Sequence, residues 1–162
     1  MTTNSSIKEK ALNPDERATR PAIANAIEKS ATRIEELDER ILTALQAASE
    51  KKALDIAVLD LRDIATFTDY FLIASGANER QVQAIADEVV EKLKKAGTPA
   101  ARVEGYRTAE WILMDYGDFV FHVFAEKARK FYDLERLWRE GKKIEVPAEF
   151  AGEANSSLRN ES

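Results

Sequence analysis

The sequence predicts one α/β domain in which a mixed β-sheet is covered by helices. Short apolar segments of strand length alternate with segments of helical periodicity, and together they predict the order α-β-β-α-β-β-β-α. Several apolar segments are hydrophobic on both faces, as in strands that helices cover on both sides. The chain has 162 residues, which is enough for one hydrophobic core with appendages and too few for two.

The composition excludes several kinds of site. The sequence contains no cysteine and a single histidine, His122, so disulfides, thiolate metal sites and multi-histidine zinc sites are excluded. Lys and Arg total 24 against 29 Asp and Glu, a net charge of −5, whereas proteins that bind duplex nucleic acid usually carry a basic excess. An acidic protein with a binding role fits a basic partner.

The two ends of the chain differ from its middle. Residues 1–30 are polar and weakly periodic, and we expect a flexible N-terminal tail there. They lack the apolar stretch of a secretory signal and contain acidic residues that transit peptides avoid, so we expect a cytoplasmic protein. Residues 53–146 are expected to form the α/β domain. Residues 147–162 should be a flexible C-terminal tail, with fraying from Gly141 onward.

The first helix is expected over residues 31–52, where Thr32 and Glu35 form a capping box. Apolar positions behind the cap recur at helical spacing and predict one buried stripe, made of Ile34, Leu37, Ile41, Leu45 and Ala48. Two strands follow, at residues 54–61 and 70–75. Because side chains alternate along a strand, two sets should face opposite sides of the sheet: Ile56 and Val58 against Ala57, Leu59 and Leu61.

The second helix has the clearest signals in the sequence. Asn78 is a favoured capping residue, and Gln81 is placed to bond back toward the cap. Gly97 stands where a left-handed residue ends a helix, and Pro99 follows it. The predicted buried face consists of Val82, Ile85, Ala86, Val89 and Leu93.

Three more strands and a short helix complete the prediction. The strands are expected at residues 102–106, 110–115 and 119–125. The last two are joined by a tight hairpin in which Gly117 can adopt positive φ. A final helix should start at Asp133 and bury Leu134, Leu137 and Trp138.

Three groups of polar residues each have a chemical and a structural interpretation. The turn at residues 75–78 could hold phosphate at a helix N-terminus, but it lacks a phosphate-binding motif, so a capped turn is favoured. Asp115 and Asp118 could hold magnesium, yet two acids flanking a hairpin glycine are also typical of a turn. His122 lies in mid-strand, where a semi-buried structural residue is more usual than a catalytic one.

The segment around Trp111 is the best candidate for a binding surface. If Trp111, Leu113 and Asp115 share one face of their strand, an aromatic side chain and an acid lie side by side. Such pairs are typical of hot spots that bind basic surfaces. The alternative, in which Trp111 is a core residue, stays open at this point.

Five blocks of sequence occur in one order across about residues 50–140. They are Asp69-Tyr-Phe-Leu-Ile-Ala-Ser-Gly76, Arg80-Gln-Val-Gln-Ala-Ile-Ala86, Glu104-Gly105, Trp111-Ile-Leu-Met-Asp-Tyr-Gly-Asp118 with His122-Val-Phe124, and Tyr132-Asp-Leu-Glu-Arg-Leu-Trp138. Together they resemble the ribosomal silencing factor family, also called the Iojap family. Residues 1–30 and those beyond 146 take no part in the resemblance.

The resemblance implies a nucleotidyltransferase-like α/β fold without catalytic activity, cofactor or metal. It implies binding to large-subunit ribosomal protein fourteen on the surface that meets the small subunit, so that the subunits stay apart and translation falls under nutrient limitation. It also implies a homodimer in the free state, little direct contact with nucleic acid and no membrane partner. Organelle relatives assist assembly of the large subunit.

The expected partner contacts combine the resemblance with the surface chemistry. First come Trp111, Asp115 and Tyr116, which we expect to be exposed, followed by Glu104, Tyr70 and Thr68. Two alternatives stay open. One is an assembly factor that binds the same partner on the large subunit. The other is a metal-dependent nucleotidyltransferase that uses Asp115 and Asp118, although the order Ser75-Gly76 is the reverse of the Gly-Ser pair such an enzyme would need.

Overall fold

A six-stranded mixed sheet organises residues 37–151, the part of the chain that the computed structural model describes. The elements in chain order are α1 (Glu39–Glu50), β1 (Leu54–Asp60), β2 (Tyr70–Gly76), α2 (Glu79–Lys95), β3 (Arg102–Glu104), β4 (Trp111–Asp115), β5 (Phe119–Ala125), α3 (Glu126–Tyr132), α4 (Leu134–Leu137), β6 (Lys142–Ile144) and α5 (Ala148–Ala151). The predicted fold class, one α/β domain with a mixed sheet covered by helices, is confirmed. Within residues 37–151 no helix is long and apolar enough to cross a membrane.

The strand order across the sheet is β3-β4-β5-β2-β1-β6. Strands β2 and β5 are parallel, and each other neighbouring pair is antiparallel. The two parallel strands occupy the middle because nearly all their side chains are buried on both faces. The parallel pairing requires a long connection, which α2, β3 and β4 supply.

The first face of the sheet carries the larger part of the core. Helices α1 and α2 pack side by side on it through the predicted stripes, burying Ile41, Leu45 and Ala48 from α1 and Val82, Ile85, Ala86, Val89 and Leu93 from α2. From the sheet, Ile56 and Val58 point to this face, as the alternation of β1 predicted. The predicted cap of α2 is confirmed, since the backbone N–H of Gln81 donates to Asn78 Oδ1 at 2.9 Å.

The second face is covered more thinly. Here Ala57, Leu59 and Leu61 pack with Phe71 and Ile73 beneath the short helix α4, again as predicted for β1. The rings of Phe71 and Trp138 meet edge to face at 5.6 Å between centroids. The cover consists of α3, α4 and the segment after β1.

Helix α1 starts later than predicted. Asp38 caps it, because its Oδ1 accepts the Arg40 amide at 2.8 Å. Leu37 precedes the helix and is buried, as the predicted stripe required. The expected capping box at Thr32 and the apolar position Ile34 lie outside the described residues.

The segment after β5 departs from the prediction. Residues 126–132 form α3, which begins directly at the strand end behind Ala125, a residue that supplies no side-chain cap. A start signal was therefore missing from the sequence. Leu134 and Trp138 are buried as expected, but the prediction for Leu137 is wrong, since its side chain is 63% exposed. Helix α4 has only four residues, too few to bury a continuous stripe.

The expected fraying from Gly141 onward is also wrong. Residues 142–144 form β6, which pairs with β1 and buries Ile144. Helix α5 follows within the expected C-terminal tail, and the Ser49 hydroxyl donates to the Glu149 carbonyl at 3.1 Å. An edge strand of three residues is too short to show a period in the sequence. Residues 1–36 and 152–162, which include most of the two expected tails, lie outside the described residues.

Candidate docking face

One end of the second sheet face stays open to solvent. Along β4, Ile112 and Met114 are buried against α2 and the first face, whereas Trp111, Leu113 and Asp115 are only partly buried. Strand β3 continues this surface, since Glu104 pairs with Leu113 and Arg102 pairs with Asp115. We call this surface the open face, defined as Arg102, Glu104, Trp111, Leu113 and Asp115. Trp111, Leu113 and Asp115 therefore share one face of β4, as predicted.

Trp111 is held on the open face by three aromatic neighbours. Its ring centroid lies 4.9 Å from that of Phe124 and 4.9 Å from that of Tyr132. The indole Nε1–H donates to His122 Nδ1 at 3.1 Å. The side chain is thus partly core and partly surface, so the two interpretations left open by the sequence both hold in part.

His122 lies beneath Trp111 in the centre of β5. Only 3% of the residue is exposed, and this burial lowers its pKa to about 3. The imidazole is neutral at physiological pH, and because Nδ1 accepts from Trp111, the proton is on Nε2. Within residues 37–151 the buried Nε2 has no hydrogen-bond partner. A histidine held neutral in this way is unsuited to acid–base catalysis near neutral pH.

The acids of the open face share a single cation. Arg102 Nε lies 3.2 Å from Glu104 Oε2, and an Arg102 terminal nitrogen lies 3.5 Å from Asp115 Oδ2. Asp115 Oδ1 also accepts the Gly117 amide at 2.9 Å, which fixes the carboxylate at the start of the hairpin. Arg102 and Glu104 are more than half exposed, and contacts of this kind exchange readily with the charges of a partner.

Tyr116 does not belong to the open face. The sequence predicted an exposed contact residue, but Tyr116 is only 7% exposed and belongs to the core of the first face. Its ring stacks on Phe119 at 4.9 Å between centroids. Burial raises the pKa of its hydroxyl to about 12, and this hydroxyl has no hydrogen-bond partner in the described residues. The exposure predicted for Tyr116 is therefore wrong.

Two further candidates also lie away from the open face. Tyr70 packs against the core of the first face, on the opposite side of the sheet from Trp111. Thr68 is buried, and its hydroxyl donates to the Gly117 carbonyl at 3.0 Å, so it supports the hairpin. The open face unites Trp111, Asp115 and Glu104 but not these two.

The pair of acids proposed for magnesium is divided between different partners. Asp118 accepts from Arg40 of α1 at 2.7 Å, whereas Asp115 is bonded within the hairpin and lies near Arg102. In residues 37–151 no group of three or more His, Cys, Asp or Glu side chains is arranged to hold a metal ion. The described geometry therefore offers no support for the metal-dependent alternative.

The turn at residues 75–78 has the geometry of a capped helix start. The Ala77 amide donates to Gln81 Oε1 at 2.7 Å, so its N–H is already used. A side chain at Gly76 would come within 2.9 Å of the Val82 backbone nitrogen, which shows how closely strand and helix approach. Ser75 turns away and accepts from Arg129 at 3.0 Å.

The aromatic residues of α3 that border the open face were not predicted from the sequence. Tyr132 is 45% exposed and touches Trp111, and Phe131 beside it is 80% exposed. Arg129 of the same helix has 12% of its side chain exposed, and it donates to the Asp55 carbonyl at 2.6 Å and to Glu135 at 2.8 Å. Helix α3 begins without a side-chain cap, so the sequence contains no local signal for its start.

The protein is a mixed-sheet α/β domain with an aromatic and acidic face open at one end of the sheet, a surface of the kind suited to binding. The model of the family described as "Ribosomal silencing factor during starvation" matches residues 34–162. A ribosomal silencing factor from Halalkalibacterium halodurans is 40% identical over 67% of this chain and 92% of its own. A crystal structure of a Chromobacterium violaceum protein superposes with a TM-score of 0.62 at 38% identity, covering 68% of this chain and 92% of that one.

More distant relatives come from organelles. The mouse protein named mitochondrial assembly of ribosomal large subunit protein 1 is 33% identical over 55% of this chain and 40% of its own. The chain belongs to the ribosomal silencing factor family. The resemblance seen in the five sequence blocks is confirmed, and the relatives are named for acting on ribosomes.

Proposed function

We propose that this protein binds large-subunit ribosomal protein fourteen through its open face and thereby keeps the small and large ribosomal subunits apart. Membership of the family supports a ribosomal role. The observation that carries the proposal is Trp111, a large aromatic side chain that is partly exposed on the same sheet face as the acids Glu104 and Asp115. A basic ribosomal surface is complementary to that arrangement.

Blocking of this kind needs no chemistry. A protein that occupies the docking surface of one subunit excludes the other to an extent set by its affinity and concentration. The result is lower translation, which is useful when nutrients are scarce. The free protein is proposed to be a cytoplasmic homodimer with little direct contact to nucleic acid, consistent with its net charge of −5.

The six candidate contacts are proposed to have different roles. Trp111, Asp115 and Glu104 are proposed to touch the partner, because they lie together on the open face. Thr68 and Tyr116 support the hairpin that carries Asp115, and Tyr70 supports the first face. These three are proposed to act through the fold.

A binding measurement with purified partner protein tests the proposed face. We expect Trp111→Ala to weaken binding by roughly 30-fold or more, the effect of removing an interface hot spot of about 2 kcal/mol. Asp115→Asn should weaken it less, since the carboxylate already shares Arg102. Glu91→Gln is the matched control, because it removes the same charge from exposed α2 on the opposite face. Equal affinities for all four proteins would overturn the proposed face.

The second candidate is a factor for assembly of the large subunit, and the printed name of the mouse relative favours it. Both functions use the same partner and the same face, so face variants do not separate them. The two functions are separated by the maturity of the large-subunit particles that the protein binds. Association with immature large particles, and not with mature subunits, would support the assembly function and contradict subunit blocking.

A further inference from the structure

The hydrogen bond between Trp111 and His122 links the open face to the core. We propose that His122 is a positioning residue: by accepting the indole N–H of Trp111, it fixes the ring so that apolar ring surface, and not the N–H, is presented to the partner. This inference rests on the proposed function of the open face and adds a residue that acts through Trp111.

The packing around Trp111 does not by itself select one orientation of the indole. Phe124 and Tyr132 contact the ring at 4.9 Å through tilted aromatic packing, which tolerates a ring turned over about its Cβ–Cγ bond. A hydrogen bond is directional and weakens steeply when its angle or distance changes. Only the orientation that places Nε1 3.1 Å from His122 Nδ1 keeps it.

The bond also decides what Trp111 can offer a partner. Tryptophan has one donor and no acceptor, and here that donor points into the protein. The rest of this partly exposed side chain is carbon. Such a ring suits a lysine or arginine side chain that stacks on it. Glu104 and Asp115 lie further along the same face, where they can contact other basic groups of the partner.

A histidine at position 122 is energetically unfavourable if its role is only structural. Its Nε2–H is buried without a hydrogen-bond partner in the described residues, which is energetically unfavourable. The T-shaped packing of His122 and Phe71, with centroids 4.5 Å apart, offers at most a weak N–H to ring contact. An apolar residue of similar size would avoid that cost but could not accept from Trp111.

The test compares an acceptor-keeping and an acceptor-removing variant of the full chain. His122→Asn places an amide oxygen near the Nδ1 position, whereas His122→Leu leaves a similar volume without an acceptor. Indole N–H resonances of ¹⁵N-labelled protein report the bond directly, and Trp111→Phe distinguishes Trp111 from Trp138. Affinity for purified large subunits is measured with the same proteins.

We expect His122→Leu to shift the Trp111 indole resonance toward that of a solvent-exposed indole, to speed its hydrogen exchange and to weaken binding roughly 3- to 10-fold. His122→Asn should stay close to the parent protein in both readouts. The melting temperature of His122→Leu should change little, because the lost hydrogen bond to Trp111 is offset by removal of a buried N–H that lacks a partner in the described residues. A purely structural histidine would show the reverse: lower stability with an unchanged indole signal.

Three results would overturn the proposal. They are an unchanged Trp111 resonance in His122→Leu, equal loss of affinity in His122→Asn and His122→Leu, and an equal effect of His122→Leu when Trp111 is already phenylalanine. If the parent protein does not bind large subunits, the proposed function fails. The indole resonances then still decide whether His122 orients Trp111.

Discussion

At the residue scale, strand alternation predicted which side chains share a face but not which face is open. The period of two placed Trp111 with Asp115 correctly. It could not show that Tyr70 points to the opposite face, because that depends on where β2 lies in the sheet. Tyr116 sits where β4 ends and the hairpin begins, so no periodicity determined the direction of its side chain.

Replacement of Tyr116 by phenylalanine tests its revised role. The hydroxyl is buried without a partner in the described residues, so Tyr116→Phe should raise the free energy of unfolding by about 1 kcal/mol. The stacking on Phe119 is kept, and affinity for large subunits should not change. Chemical denaturation and a binding titration check both points. A large loss of affinity would restore Tyr116 as a direct contact and contradict its burial.

His122 predicts how stability depends on pH. Its pKa is about 3 in the folded protein against 6.5 as the ordinary value, so the unfolded chain binds the proton more readily. The contribution of neutral His122 to stability is complete above pH 6.5 and is lost as pH falls toward 3. Between pH 6.5 and 4.5 the loss amounts to roughly 2–3 kcal/mol.

Comparison with a variant isolates this effect from that of the carboxylates. In His122→Asn the free energy of unfolding should fall less between pH 6.5 and pH 4.5 than in the parent protein, by the roughly 2–3 kcal/mol attributed to His122. Urea denaturation at the two pH values measures it. Identical pH slopes in the two proteins would mean that the folded protein accepts the proton on His122.

At the element scale, capping chemistry separated the elements that were predictable from those that were not. Helix α2 has Asn78 as a cap and a continuous apolar face, and its buried residues were predicted in full. Helix α3 starts without a side-chain cap, and β6 has three residues with one buried, so neither gave a local signal. Their positions are set by the sheet on which they pack.

Gly105 controls the entry of the chain into β4. It has a φ of +82°, and a Cβ there would lie 2.1 Å from the Trp111 carbonyl oxygen. Gly105→Ala should therefore destabilise the fold by more than the roughly 1–2 kcal/mol of a left-handed alanine, and should displace Trp111. Gly97→Ala is the matched control, since its φ is +95° but nothing lies within 4 Å of the added Cβ.

Denaturation of both glycine variants measures the difference. A larger cost for Gly105→Ala, accompanied by weaker binding to large subunits, is expected. Equal losses of stability in the two variants would show that the backbone of β4 can shift to accommodate the added Cβ without destabilising the fold.

At the scale of the whole molecule, the number of domains, the fold class and the family could be predicted from the sequence. The order of strands could not, because pairings such as β6 with β1 or β2 with β5 join segments far apart in the chain. That order leaves β3 and β4 at one end of the sheet, beyond the cover of α4. The open face is thus a property of the topology, and Trp111 is partly exposed because its strand lies there.

Sedimentation of ribosomal subunits tests the central claim most directly. Purified small and large subunits are separated at low magnesium, mixed with the protein, and returned to magnesium that allows joining. The prediction is that the protein travels with the large subunit and the subunits stay apart, whereas with Trp111→Ala they join. If joined ribosomes form equally well with the parent protein present in excess, the proposed blocking function is contradicted.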